Sequence, residues 1–225
     1  MTIKGVFFTD LDGTLEDSRQ DMVSSVLAVR RDLGLPSVPG AHFEPHVIKG
    51  MDHLYRRCFS ESWPSSPTQE QDSQIVKLVE EKFLRQYLDN VVINTKVYPG
   101  ISELLYRLKE KEWAVVVVTN KPSLHSEALL EKVQLSSLIT KVMGGDSCEA
   151  TKPDPLPLKL AYQFLNLNPA TTPSRMMGDS LADIQVARAF GAVPLWAGWG
   201  YCFECPSPES DVFHLKQPLE ALNGL

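Results

Sequence analysis

Apolar positions along the chain follow two alternating patterns. Short runs rich in β-branched and aromatic residues, Gly5–Thr9 and Trp113–Thr119 above all, are separated by stretches in which apolar residues recur every three or four positions. The run "WAVVVVT" is almost continuous, as expected of a parallel strand covered on both faces. Ile139–Met143, Arg175–Gly178, Ala192–Trp196 and the short Val212–His214 read as further strands. Between them fall helical patterns. "SELLYRLKEK" follows Pro99-Gly100 and puts Leu104, Leu105 and Leu108 on one stripe. "SLHSEALLEKV" starts after Pro122, "LPLKLAYQFL" follows a proline cluster, and "LADIQVARAF" ends at Gly191, a residue suited to closing a helix. Repeated strand–helix units predict an α/β fold, a parallel sheet with helices on both faces.

One region breaks the alternation. From about Glu16 to about Asn90 there is helical periodicity in "DMVSSVLAVRRDL" and "IVKLVEEKFLRQYL", an interrupting loop "SWPSSPTQEQDS", and no convincing strand. This predicts a helical insertion placed directly after the first strand, large enough to bury a small core of its own.

Composition narrows the function classes. The chain has 225 residues, 43% of them hydrophobic, enough for one sizeable core or a core plus a smaller one. Its formal net charge is −6 and no basic run stands out, so nucleic acid finds no electrostatic footprint. The longest apolar run falls far short of the roughly 20 residues of a spanning helix. The start "MTIKGVFFTD" lacks the pattern of a secretion signal. No membrane partner and a cytoplasmic location are therefore expected. Of Cys58, Cys148, Cys202 and Cys205, the last two form one C-x-x-C pair. Zinc would need a second pair of ligands and only His214 lies downstream, so incidental thiols are expected.

In an open α/β sheet, ligands bind beyond the carboxyl ends of the strands. The first strand ends in Asp10-Leu11-Asp12-Gly13-Thr14 and the second in Thr119-Asn120. The loop after the third carries Lys152 before Pro153, and the fourth ends in Gly178-Asp179-Ser180 with Asp183 beyond. Each piece has an ordinary reading. A D-x-D pair can be a turn, Thr-Asn an Asx turn, Lys152 a solvated lysine, Gly-Asp-Ser a helix cap and Asp183 a first-turn acid. Their joint occurrence at four strand ends points instead to phosphate chemistry. Asp10, Asp12 and Asp179 would repel one another without a divalent cation. Oxygen ligands of this kind select a hard ion, and Mg2+ is the usual partner of phosphates.

With these motifs, "DLDGT", "TN", Lys152 in "TKPDP" and "GDSLAD", the sequence resembles the haloacid dehalogenase-like (HAD) hydrolase superfamily. "DLDGTLEDS", "VYPGI", "TNKP", "KPDPLPL" and "GDSLADIQVARAFGA" are similar to its phosphoglycolate phosphatase-like group. Glu16 departs from that pattern, since many relatives carry an apolar residue there. The resemblance implies a Rossmann-like catalytic core from residues 1–15 and 91–225 and a helical cap at 16–90. It implies Asp10 as the nucleophile, Asp12 as general acid and base, and Lys152 neutralising charge on Asp10 and the phosphoryl group. Thr119 and Asn120 would hold phosphate oxygens. Asp10, Asp179 and the backbone carbonyl of Asp12 would bind magnesium, and Asp183 would orient Lys152 or a metal-bound water.

The implied activity is hydrolysis of a small phosphorylated metabolite, with 2-phosphoglycolate favoured. The alternatives are a sugar-phosphate phosphatase, a β-phosphoglucomutase-like phosphotransferase and a non-catalytic phosphate-binding module. In the insertion, "HVIKGMDHLYRR" offers Lys49, Gly50, His53, Arg56 and Arg57 for a substrate carboxylate, Lys49 first among them. Arg56 and Arg57 read equally as an exposed helix face.

Overall fold

The structure is a computed structural model, described for residues 2–90, 92–202 and 211–225. The chain divides into two compact units. One comprises residues 1–17 with 96–225, the other residues 18–95.

The larger unit carries a six-stranded sheet of β1 (Gly5–Thr9), β4 (Trp113–Val118), β5 (Lys141–Met143), β6 (Ser174–Gly178), β7 (Val193–Ala197) and β8 (Phe213–Leu215). Its order is β5-β4-β1-β6-β7-β8, every pair parallel. The helices are α5 (Ile101–Glu110), α6 (Ser123–Lys132), α7 (Leu156–Phe164) and α8 (Leu181–Phe190). Strand alternation sends Val6, Phe8, Val116, Val118 and Met176 to one face, where Leu158, Ala161 and Tyr162 of α7 and Val186 and Ala187 of α8 complete a core. Phe7, Val115 and Val117 point the other way and are also buried, and α5 packs on β4 with Leu104, Leu105 and Leu108 buried. Each such side chain contributes about 1.5–3 kcal/mol by leaving water. This double burial explains why β1 and β4 carry almost no polar residues until their ends.

Two-residue strands β2 (Glu16–Asp17) and β3 (Lys96–Val97) pair antiparallel. The division between the units therefore falls later than the expected 15/16 and 90/91 boundaries, because this small ladder keeps Glu16 and Asp17 in the sheet-bearing unit. The sequence shows no strand here, since two residues are too few to display a period.

The smaller unit is helical: α1 (Arg19–Asp32), α2 (Glu44–Val47), α3 (Met51–Cys58) and α4 (Gln69–Asn90). The helix α4 starts inside the stretch expected to be loop, where the Thr68 hydroxyl accepts the Gln71 N–H at 3.2 Å and caps it. Met22, Val26 and Val29 of α1, Leu54 and Tyr55 of α3 and Val79, Phe83 and Tyr87 of α4 form its core. Arg30 is buried with them. It grips Glu61 through two nitrogens at 2.9 and 2.6 Å, donates to the carbonyls of Cys58 and Pro36, and lies over the Phe43 ring. Asp21, 1% exposed, accepts the N–H groups of Ile93, Asn94 and Thr95 at 2.9–3.1 Å and the Thr95 hydroxyl at 2.7 Å. It thereby ties the end of the unit to its first helix.

No described helix is long and apolar enough to cross a membrane. Cys205, and with it the C-x-x-C pair, lies outside the described residues.

Candidate active site

The central strand β1 is flanked by β4 and β6, so the residues leaving these three strands emerge side by side at one edge. Asp10 and Asp12 follow β1, Thr119 and Asn120 follow β4, and Asp179 follows β6. Lys152 arrives from the loop after β5. Its ammonium, buried, stands 2.8 Å from Asp10 Oδ1 and 2.6 Å from Asp183 Oδ1. Burial works against that charge, but the two carboxylates beside it raise the Lys152 pKa above the ordinary lysine value.

Asp10, Asp179 and Asp183 each present a carboxylate oxygen within 4.8 Å of the others. Burial is the main cause that lifts Asp10 to about 7. Lys152 opposes the lift, while Asp183 and Asp179 add to it. Asp179 is raised to about 6, again by burial first and then by Asp183. Hard oxygen ligands crowded in a low-dielectric site fit a hard divalent cation, which would relieve their repulsion. Asp183 has both oxygens engaged. One takes Lys152, and the other accepts the Ser180 N–H at 3.0 Å and the Ser180 hydroxyl at 2.6 Å, a capping box at the start of α8. Asp183 thus caps its helix and holds Lys152 with one carboxylate.

Asp179 is held by groups the sequence reading did not single out. The Tyr201 N–H donates to its Oδ2 at 2.6 Å and the Thr14 hydroxyl to its Oδ1 at 3.3 Å. Gly13 has φ +80, and a Cβ there would come within 2.5 Å of Asp179 Oδ2. A Cβ on Gly200 would run into the same carboxylate. Both glycines let the backbone close over Asp179 where a side chain would displace it.

Asn120 and Lys152 exchange two hydrogen bonds. Asn120 Nδ2 donates to Lys152 O at 3.2 Å, and the Lys152 N–H donates to Asn120 Oδ1 at 3.1 Å. The Asn120 side chain therefore anchors the loop that presents the lysine. The buried Thr119 hydroxyl accepts the Lys121 N–H at 3.2 Å. Lys121 is itself buried, and its ammonium lies 2.5 Å from Asp12 Oδ1. It stands in "TNKP", one position beyond the pair read from the sequence. A lysine just past a buried strand end was the available signal.

Lys49 lies in the helical unit, exposed, between α2 and α3. Nearby, His46 Nδ1 and His53 Nε2 are 3.1 Å apart, so His53 is paired within its own unit. Arg56 is spent on Asp52 at 3.0 Å and Asp72 at 2.7 Å, which is the helix-face reading of that residue. Arg57 and Gly50 are exposed.

Known proteins resemble the chain over most of its length. The profile of the haloacid dehalogenase-like hydrolase family matches residues 6–196. The phosphoglycolate phosphatase of Chromobacterium violaceum is 33% identical over 199 residues, 88% of this chain and 86% of that protein. That of Haemophilus influenzae strain 86-028NP is 32% identical over 203 residues, 90% of this chain and 89% of that one. Among solved structures, a predicted phosphoglycolate phosphatase from Haemophilus somnus superimposes with a TM-score of 0.80 at 27% identity, covering 99% of this chain and 98% of that one.

Proposed function

The chain belongs to the haloacid dehalogenase-like hydrolase family, and on that premise we propose that it hydrolyses a small phosphomonoester, 2-phosphoglycolate first among candidates, through an aspartyl-phosphate on Asp10. The observation that carries this reading is the meeting of four separate segments at one sheet edge, with Lys152 between Asp10 and Asp183 and three carboxylates within 4.8 Å.

In the first step an Asp10 oxygen attacks phosphorus in line and the bond to the leaving oxygen breaks. Asp12 gives that oxygen its proton. In the second step Asp12 takes a proton from water as the water attacks phosphorus, the bond to Asp10 breaks, and inorganic phosphate is released. Lys152 offsets charge gathered on Asp10 and the phosphoryl oxygens, and the Thr119 hydroxyl takes one of those oxygens. Lys121 fixes the Asp12 carboxyl in place. A magnesium ion held by Asp10, Asp179 and the backbone carbonyl of Asp12 would neutralise phosphate charge when bound. Asp183 supports the site by holding Lys152.

The helical unit at 18–95 is the proposed cap. A cover of this kind restricts water and supplies substrate contacts, and Lys49 offers the cation for a substrate carboxylate. The test is a panel of phosphomonoesters assayed with magnesium for release of inorganic phosphate, with Asp10→Asn as the blank. Phosphoglycolate is expected to lead the panel, and Lys49→Ala to raise its KM with little change in kcat. Equal rates on hexose phosphates would overturn the substrate assignment. Phosphate passed to a second sugar hydroxyl rather than released would make the protein a phosphotransferase.

A further inference from the structure

One short segment reaches the site from outside its motifs. After β7 the chain turns at Gly198-Trp199-Gly200 and meets the site at Tyr201. The turn is anchored where the Gly198 N–H donates to Leu215 O of β8 at 3.0 Å, and the Gly200 N–H on Ala197 O at 3.2 Å tightens it. From there it makes two bonds into the site. The Tyr201 N–H donates to Asp179 Oδ2 at 2.6 Å, and the Trp199 indole N–H donates to Thr14 O at 3.0 Å. Thr14, fully buried, gives its own hydroxyl to Asp179 Oδ1 at 3.3 Å. The segment therefore holds Asp179 twice, once directly through Tyr201 and once through Trp199 and Thr14.

Trp199 has no part in the reaction above. Its ring is only half-buried, so its N–H could be left to water at little cost. It goes instead to the main chain of the turn that also carries the Asp12 carbonyl. Asp179 spends Oδ2 on a short bond and Oδ1 on a longer one, so Oδ1 is the oxygen with room for a cation. We propose that Trp199 is a positioning residue for the metal: by holding the Thr14 main chain it aims the Thr14 hydroxyl at Asp179 Oδ1, and so sets how tightly the site takes a divalent ion. A carboxylate fixed beforehand loses less freedom when the ion arrives than one that must first be ordered. This rests on the reading of Asp179 as a magnesium ligand. Removing a group that orients a metal ligand costs about 10–100-fold in affinity. Trp199 acts at one remove, through Thr14, and its share is smaller.

The experiment titrates magnesium alone into the whole chain by calorimetry, without substrate. Trp199→Phe keeps an aromatic ring and loses the N–H, and is expected to weaken magnesium binding by about three- to tenfold. Thr14→Val removes the hydroxyl and is expected to weaken it by about tenfold or more, whereas Thr14→Ser keeps the hydroxyl and should bind within about twofold of the parent. Trp199→Phe combined with Thr14→Val is expected to bind no more weakly than Thr14→Val alone, because both act along one chain of contacts. Parent-like affinity in Trp199→Phe would overturn the proposal, and a lower metal-free Tm beside it would mark the tryptophan as structural. Losses that simply add in the double variant would overturn it as well, since Trp199 would then not act through Thr14. Asp179→Asn separates the two levels. If it loses magnesium while Trp199→Phe keeps it, the inference about Trp199 fails alone. If Asp179→Asn binds magnesium as the parent does, the metal reading of Asp179 fails and the inference with it.

Discussion

Lys152 Nζ stands 2.8 Å from Asp10 Oδ1, a buried contact between residues 142 positions apart in the sequence. The same ammonium reaches Asp183 at 2.6 Å, so one cation serves two carboxylates. Replacing it with Ala removes the charge that balances Asp10 as phosphate adds to it. Lys152→Ala is expected to lower kcat by about 10²–10³-fold, as loss of one electrostatic stabiliser does elsewhere. It should also cost about 3–5 kcal/mol at neutral pH, because two buried carboxylates lose their partner. The lysine pKa is raised in the fold, so its contribution is fully present at every pH below the unfolded value and is lost only in strong base. Steady-state kinetics and denaturant unfolding check the two halves separately.

Metal binding should stabilise the protein in a pH-dependent way. Asp10 is raised to about 7 and Asp179 to about 6. Between about pH 4 and those values the unfolded chain releases protons that the folded chain keeps, so the metal-free protein loses stability as pH rises through this window. A cation favours the ionised carboxylates and competes with their protons. The gain in Tm on adding millimolar magnesium is therefore expected to be small at pH 5 and largest near pH 8. An equal gain at both, measured by calorimetry, would contradict placing the ion on Asp10 and Asp179.

Asp21 makes a separate prediction for the helical unit. Burial pushes its pKa up, but the hydrogen bonds from Thr95 and Asn94 outweigh that and hold it below the ordinary value. Its stabilisation is thus present above about pH 4 and is lost as pH falls through the lowered folded value. Asp21→Asn turns an acceptor into a donor facing N–H groups. It is expected to cost about 1–3 kcal/mol at pH 7 and to speed hydrogen exchange at residues 93–95. The difference from the parent protein should shrink below pH 4. Thermal melts at two pH values and residue-resolved exchange check it.

What could be read from the sequence follows from where the signal is local. The runs Gly5–Thr9 and Trp113–Val118 announce themselves because both faces of the sheet are covered, leaving no polar alternation to confuse them. Asp10, Asp179 and Lys152 stand out because charged residues at the ends of such runs need a reason. Glu16 shows in the sequence only as a departure from the family pattern, and Lys121 only as a lysine just past a strand end. One is an acid in a polar-looking turn and the other a lysine before a proline, and only tertiary packing reveals that both are buried. The second duty of Asn120, bracing the Lys152 backbone, likewise depends on a contact between distant segments. The Tyr201 N–H on Asp179 was beyond sequence reasoning altogether, since a backbone donor carries no residue-type signature.

The central claim is that Asp10 carries the phosphoryl group during turnover. Its most direct test is the mass of the intact protein after acid quench during turnover of 2-phosphoglycolate with magnesium, followed by peptide mapping. The parent protein is expected to gain one phosphoryl group on the peptide containing Asp10, and Asp10→Asn to gain none and release no phosphate. An unmodified parent protein throughout steady turnover, together with an Asp10→Asn variant that hydrolyses substrate at the parent rate, would contradict the account.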